Sequence, residues 1–170
     1  ETAYFDVKNR ELGLPIWKEN TMEAAEEELL VCHEIGHALY TPLDMLENSQ
    51  LRKIDHSVVN VLEDARIEKK VKNKYLGTVR LFNAGYESLI KKDFFGTSGK
   101  DLSDFNLIDR INLFFKGNTD VVFSDEEKVW VDRTAKTETP DDVLDLAEEL
   151  LAWMADNPES MGIPDDSDDS

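Results

Sequence analysis

The sequence predicts a mainly helical domain (α+β) with a small N-terminal β-hairpin, and three observations predict it. Apolar residues recur at helical spacing along most of the chain; Val143, Leu144, Ala147, Leu150, Leu151 and Met154 are the clearest run. Helix boundaries carry the expected side chains: Ser124 with Glu127 and Thr139 before Pro140 as starts, Thr41-Pro42 and Gly117 as stops. Strand-like segments are confined to residues 3–16, enough for one hairpin.

The elements follow in order. Residues 3–7 and 10–16 flank Lys8-Asn9 as the two arms of the hairpin, with Pro15 forcing an edge position. Asn20 with Glu23 opens a helix that runs to Tyr40. Its core stripe is Ala25, Leu29, Cys32, Gly36 and Leu39, and Leu30, His33 and His37 form the neighbouring stripe. A glycine inside a helix costs about 1 kcal/mol against alanine, so Gly36 implies another backbone packed close beside it. Residues 42–54 read as irregular. A second helix over 55–74 buries Val58, Val59, Leu62, Ala65 and Val71 and shows Lys69, Lys70, Lys72 and Lys74 to water. Further helices are predicted over 79–92, over 104–116, after Ser124, and from Pro140. The aromatic residues Phe82, Tyr86, Phe94, Phe95, Phe105, Phe114 and Phe115 read as core.

The chain of 170 residues divides into one domain over 1–157 and an acidic, apolar-poor tail or linker over 158–170. Net charge is −18, and its distribution is uneven. No lysine or arginine follows Lys136, whereas residues 137–170 hold twelve acids; the first 136 residues carry 25 acids against 19 bases. Such a surface argues against nucleic acid or an anionic membrane as partner. The single cysteine, Cys32, excludes an internal disulfide and is compatible with a reducing, cytoplasmic setting. No apolar run approaches a membrane span, and the N-terminus lacks the layout of a signal peptide. A start at Glu1 in place of Met reads as a processed or excised piece.

The chemistry concentrates in His33-Glu34-Ile35-Gly36-His37. Histidines four apart on a helix share a face, about 5–6 Å apart at Cβ, and both imidazoles can reach one metal at roughly 2.0–2.1 Å. Glu34 points close enough to serve an activated water without ligating the metal. A hydrolytic centre needs a third protein ligand. The second helix offers Glu63, a carboxylate between Leu62 and Ala65 that needs a partner if buried. His56, Asn60 and Glu63 share one stripe, with Arg66 beside it. Asp64 is the main rival ligand and Glu68 a more distant one, and a plain ion pair with Arg66 is the alternative reading of Glu63.

His-Glu-x-x-His followed on a second helix by Asn60-x-x-Glu63-Asp64 resembles the gluzincin branch of zinc metallopeptidases, over roughly residues 1–75. The resemblance implies a zincin-like helical domain with Zn2+ as cofactor and a peptide or protein substrate. It makes His33, His37 and Glu63 the zinc ligands and Glu34 the general base. Asp64 or Asn60 would orient a ligand histidine. The oxyanion donor stays open among His56, Tyr86, Arg80 and Tyr40, with a first-turn role the other reading of His56. Residues 10–16 resemble in position the strand edge that receives substrate in zincins. The same stretches look like metallopeptidase-like domains of large phages and bacteria, some of which continue into a von Willebrand A-type domain; the acidic tail would suit a linker to such a domain or to a partner protein. The alternative function is a zincin-derived, metal-containing binding or assembly module without turnover, and the presence of Glu34 favours catalysis over it.

Overall fold

The computed structural model describes residues 3–14 and 22–163. Strands β1 (Tyr4–Asp6) and β2 (Glu11–Gly13) pair antiparallel with Phe5 opposite Leu12. Asp6 closes their turn, its Oδ1 accepting from the backbone amides of Lys8 and Asn9 at 3.0 Å each. The edge role expected of Pro15 and the cap role expected of Asn20 fall outside the described residues.

Seven α-helices follow among the described residues: α1 (Ala24–Tyr40), α2 (Met45–Leu51), α3 (His56–Lys74), α4 (Thr78–Lys91), α5 (Leu107–Phe115), α6 (Asp125–Ala135) and α7 (Pro140–Asp156). The predicted mainly helical fold with a small N-terminal hairpin is therefore the observed one. Ser124 and Thr139 cap α6 and α7 as their sequence contexts indicate, each in a capping box. At α1 the capping box is made by Glu23 with Glu26. The stretch expected to be irregular contains α2, because Met45 and Ser49, four apart, are both buried and give a short helix its inner face.

Helix α3 is the axis of the molecule. Its N-terminal half sends Val58, Val59 and Leu62 into a core shared with Leu107 and Ile111 of α5, Trp130 and Val131 of α6, and Leu146 and Leu150 of α7. Farther along, Val71 joins a smaller cluster with Leu29 of α1 and Phe82, Tyr86 and Leu89 of α4. Gly36 lets α1 approach α3, but what it meets is side chain and not backbone: an added Cβ would lie 2.8 Å from Ile67 Cδ1 and 3.1 Å from Val71 Cγ2. The close backbone approach is at Gly85 of α4, where a Cβ would sit 2.5 Å from Leu29 Cβ and 2.9 Å from the Ala25 carbonyl oxygen. Leu39, expected in the core, is half exposed, because α1 contacts α3 through Gly36 and Leu39 falls off that line. Phe94 and Phe114 also lie exposed, edge-on to Phe95 and Phe115. Of the lysines expected in water, Lys69 donates to the Ala135 and Thr137 carbonyls and bolts α3 to the end of α6.

Residues 158–161, expected to open the tail, instead form a 3-10 turn that belongs to the folded body. Ser160 is buried and donates to Glu127 Oε2 at 3.0 Å, and the Ile163 amide donates to the Asp104 carbonyl at 2.8 Å. Glu127 also receives two nitrogens of Arg110, at 3.0 and 2.5 Å. This bidentate pair ties α5, α6 and the C-terminal turn together. The remainder of the acidic tail, 164–170, lies outside the described residues. No described helix is long and apolar enough to cross a membrane.

Two predictions follow from this packing. Gly85→Ala should destabilise the fold by about 1–3 kcal/mol, since it strikes Leu29 Cβ and the Ala25 carbonyl, neither of which can swing aside. Gly77→Ala, with nothing within 4 Å of its Cβ, should stay within about 0.5 kcal/mol of wild type in denaturant unfolding. The second prediction concerns acid. Burial opposes the Glu127 charge, but hydrogen bonds from Arg110 and the Ser124 amide win and hold its carboxyl down to about 2, from 4.5. A depressed carboxyl stabilises fully above its unfolded value and loses that contribution as pH falls through the folded one. The Tm gap between wild type and Glu127→Gln should therefore be widest above about pH 5 and narrow towards pH 2. A gap that does not change with pH would remove this role.

Candidate metal centre

Two pairs of chemically active side chains face each other across the contact of α1 and α3. His33 and His37 stand on successive turns of α1, and Asp64 and Glu68 on successive turns of α3, each pair at i,i+4. Ile67 and Val71 pack against Gly36, and that contact turns the Asp64–Glu68 face of α3 towards the histidines.

The acidic oxygens and ring nitrogens then sort themselves. Asp64 Oδ1 lies 2.8 Å from His37 Nε2 and 3.4 Å from His33 Nε2. His33 Nδ1 donates to Glu68 Oε1 at 2.8 Å, and the same oxygen accepts from the Tyr86 hydroxyl. His37 Nδ1 lies 2.8 Å from Thr41 Oγ1. Both rings thus have Nδ1 engaged and direct Nε2 to a common point. The rings stand nearly perpendicular, with centroids 4.8 Å apart. One donor atom each from His33, His37 and Asp64 lies within 4.8 Å of the others, and these three residues could hold a metal ion.

The electrostatics suit a cation. Burial disfavours charge on His33, but hydrogen bonds and charge from Asp64 and Glu68 overcome it and push the imidazole up to about 10. Burial likewise opposes ionisation of Asp64, yet hydrogen bonds from His33 and His37, with the charges of His33 and Lys116, hold its carboxyl far below the usual range. A field that stabilises a shared proton this strongly also favours a dication among the same atoms. Two imidazole nitrogens and one carboxylate oxygen make a donor set that fits a divalent centre with one position free.

Glu34 lies beside the histidines, partly buried, and its carboxylate accepts from the Phe5 amide of β1. Burial pushes its carboxyl up, against the lowering charges of His33 and His37. The hairpin is pinned to α1 by Arg10, whose Nη1 donates to the Ala38 carbonyl at 3.0 Å. It is β1 that packs on α1 and meets Glu34; of the segment 10–16 expected to flank the site, Arg10 reaches α1 directly, and residues 15 and 16 lie outside the described residues.

Other candidates stand elsewhere. Glu63 shows no hydrogen bond to the histidines among the described residues, although the charge of His37 acts on its carboxyl. Its side chain is 2% exposed and accepts from Arg66 Nε at 2.6 Å through Oε1, while Oε2 has no hydrogen-bond partner among the described residues. One position along a helix is a rotation of about 100°, and of the two neighbouring acids it is Asp64 whose oxygen lies within hydrogen-bonding distance of His37. Arg66 spends its remaining donors on the carbonyls of Tyr40, at 2.8 Å, and Glu138, at 3.2 Å. Asn60 is exposed. His56, about two turns before Asp64, puts Nδ1 3.3 Å from Ser49 Oγ. Tyr86 is buried behind His33 and holds Glu68, with burial and the Glu68 charge keeping its hydroxyl protonated. Arg80 is exposed on the first turn of α4.

Two residues of the centre come without forewarning from the sequence. Thr41 supports His37, and Lys116 at the end of α5 places Nζ 3.3 Å from Asp64 Oδ2. Nothing in the sequence links Lys116 to a residue 52 positions away. Glu68 did leave a signal: Asp64 and Glu68 repeat the i,i+4 spacing of His33 and His37. Cleft volume does not locate the site. A cleft of about 590 Å³ near α7 is lined by Arg52 and Arg133, but both are paired with acids, Asp145 and Glu149 among them.

Comparison with family models, curated proteins and solved structures returned no match for this chain. The reading of the centre therefore rests on its geometry. If Glu68 orients His33, Glu68→Gln should weaken binding of a divalent ion by about 10–100-fold, and Tyr86→Phe by less, in competition with a chromophoric chelator. Helicity should not change in either variant. Equal affinity in wild type and Glu68→Gln would leave the Glu68–His33 contact without a part in binding.

Proposed function

We propose that this chain is a zinc-dependent metallopeptidase domain of the zincin-like kind, with Asp64 in place of Glu63 as third ligand, which sets it outside the glutamate-ligand branch. One observation carries the reading: facing i,i+4 pairs on α1 and α3 converge His33 Nε2, His37 Nε2 and Asp64 Oδ1 on one point with Glu34 beside it. Zinc held there would supply Lewis-acid polarisation of the scissile carbonyl and a lowered pKa for the attacking water. Glu34 would be the group that accepts a proton from the attacking water and returns it to the leaving amine, a role that the burial raising its carboxyl supports. Glu68 and Thr41 keep the two imidazoles turned Nε2-inward. The backbone of β1, beside Glu34, offers an extended peptide a strand to pair with. The acidic surface makes nucleic acid an unsuitable partner, and the lone Cys32 fits a cytoplasmic setting.

The rival for third ligand is Glu63, and what favours it is its buried, unpartnered Oε2. Four proteins separate the readings: wild type, Glu34→Gln, Asp64→Ala and Glu63→Ala. Wild type and Glu34→Gln should each carry about one zinc per chain by elemental analysis, and only wild type should cleave members of a diverse peptide library. Asp64→Ala should lose zinc severely. Glu63→Ala should keep it while losing about 3–5 kcal/mol of stability, because Arg66 is left buried without its partner. A greater loss of zinc from Glu63→Ala would restore Glu63 as the ligand. Zinc bound by a wild type that cleaves nothing would assign the chain to the binding-module class.

A further inference from the structure

Asp64 has two oxygens, and the fold treats them differently. Oδ1 faces the two imidazoles, while Oδ2 is met by Lys116 Nζ at 3.3 Å. Both side chains are largely withdrawn from water, at 18% and 19% exposure. A carboxylate can ligate through one oxygen or both, and a bidentate carboxylate here would fill the position a hydrolytic centre needs open.

Lys116 is itself held firmly. It caps the C-terminus of α5, its amide donating to the Asn112 carbonyl at 3.1 Å, where the helix dipole favours a cation. Leu107, Ile111 and Leu113 anchor α5 in the protein interior. The lysine head passes 5.9 Å from the centre of the Phe95 ring and helps wall a cavity of about 70 Å³ with His33, Tyr86 and Leu89. Its reach to Oδ2 is therefore fixed by a helix that supplies no ligand.

We propose that Lys116 is a positioning residue that holds Asp64 to ligation through Oδ1 alone and so keeps one coordination place free. The inference rests on the metal reading above. Cobalt(II) tests it, since its visible absorption is strong in four-coordinate sites and weak in five- or six-coordinate ones. Wild type loaded with cobalt should show the strong bands. Lys116→Met should lose them several-fold while still binding the ion, and Lys116→Arg, which keeps a cationic donor, should restore them. Where peptide turnover is measurable, Lys116→Met should lower kcat more than it changes KM. A salt bridge that only supports the fold predicts a lower Tm for metal-free Lys116→Met with an unaltered cobalt spectrum, and that result overturns the proposal. If Lys116→Met does not fold, as judged by circular dichroism, Lys116→Gln is read by the same spectrum. A wild type that takes up no cobalt overturns the metal reading and this inference together. A wild type with strong cobalt bands that cleaves no peptide sinks the peptidase alone, and the spectra of the variants still decide the role of Lys116.

Discussion

The contact of α1 with α3 at Gly36 is the constraint on which the centre depends. With no Cβ at that position, Ile67 and Val71 can press directly on α1. This seating fixes the rotation of α3 about its own axis, and the rotation chooses which acids meet the histidines. Asp64 and Glu68 lie on the chosen side. Glu63 turns to Arg66 and the interior. A larger side chain at 36 would push the helices apart where the donor atoms must stay within hydrogen-bonding reach, so the packing and the site are one geometric problem.

Helix α3 also buries three charged residues, Glu63, Arg66 and Glu68. Removing charge from water is costly unless it is paired and hydrogen-bonded. Arg66 answers Glu63 and reaches the ends of α1 and the segment before α7. Glu68 is answered by His33 and Tyr86. The same economy appears at Arg110 and Glu127, which hold the C-terminal turn. The fold is thus fastened by desolvated polar pairs at the joints between apolar clusters, and the group of His33, His37, Asp64 and Glu68 is one of these joints.

Most of the helices were legible because their causes are local. Caps at Ser124 and Thr139, the stop at Thr41-Pro42 and the apolar stripe of α7 need no knowledge of neighbours. The histidine pair was legible for the same reason. The choice between Glu63 and Asp64 was not, because it depends on a rotation set by Ile67 and Val71 against another helix. A stripe drawn through His56, Asn60 and Glu63 is sound helical geometry, but the hydrogen bonds to the histidines come from Asp64 and Glu68. Lys116 was invisible, since its meaning comes from where α5 ends in space. The turn at 158–161 was missed because an acidic composition hides a single buried serine, whose bond to Glu127 joins that of the Ile163 amide to Asp104 in placing it.

The depth of the supporting residues has a bearing on how such a chain can change over generations. His37 and Asp64 keep a small part of their surface in water, whereas Glu68 and Tyr86 are enclosed. Exchange of Glu68 alone would strand the Tyr86 hydroxyl inside the fold, and removal of Tyr86 would open a hollow between α1 and α4. The enclosed acid–phenol pair is thus the part of this cluster that packing alone preserves when its more open neighbours are exchanged.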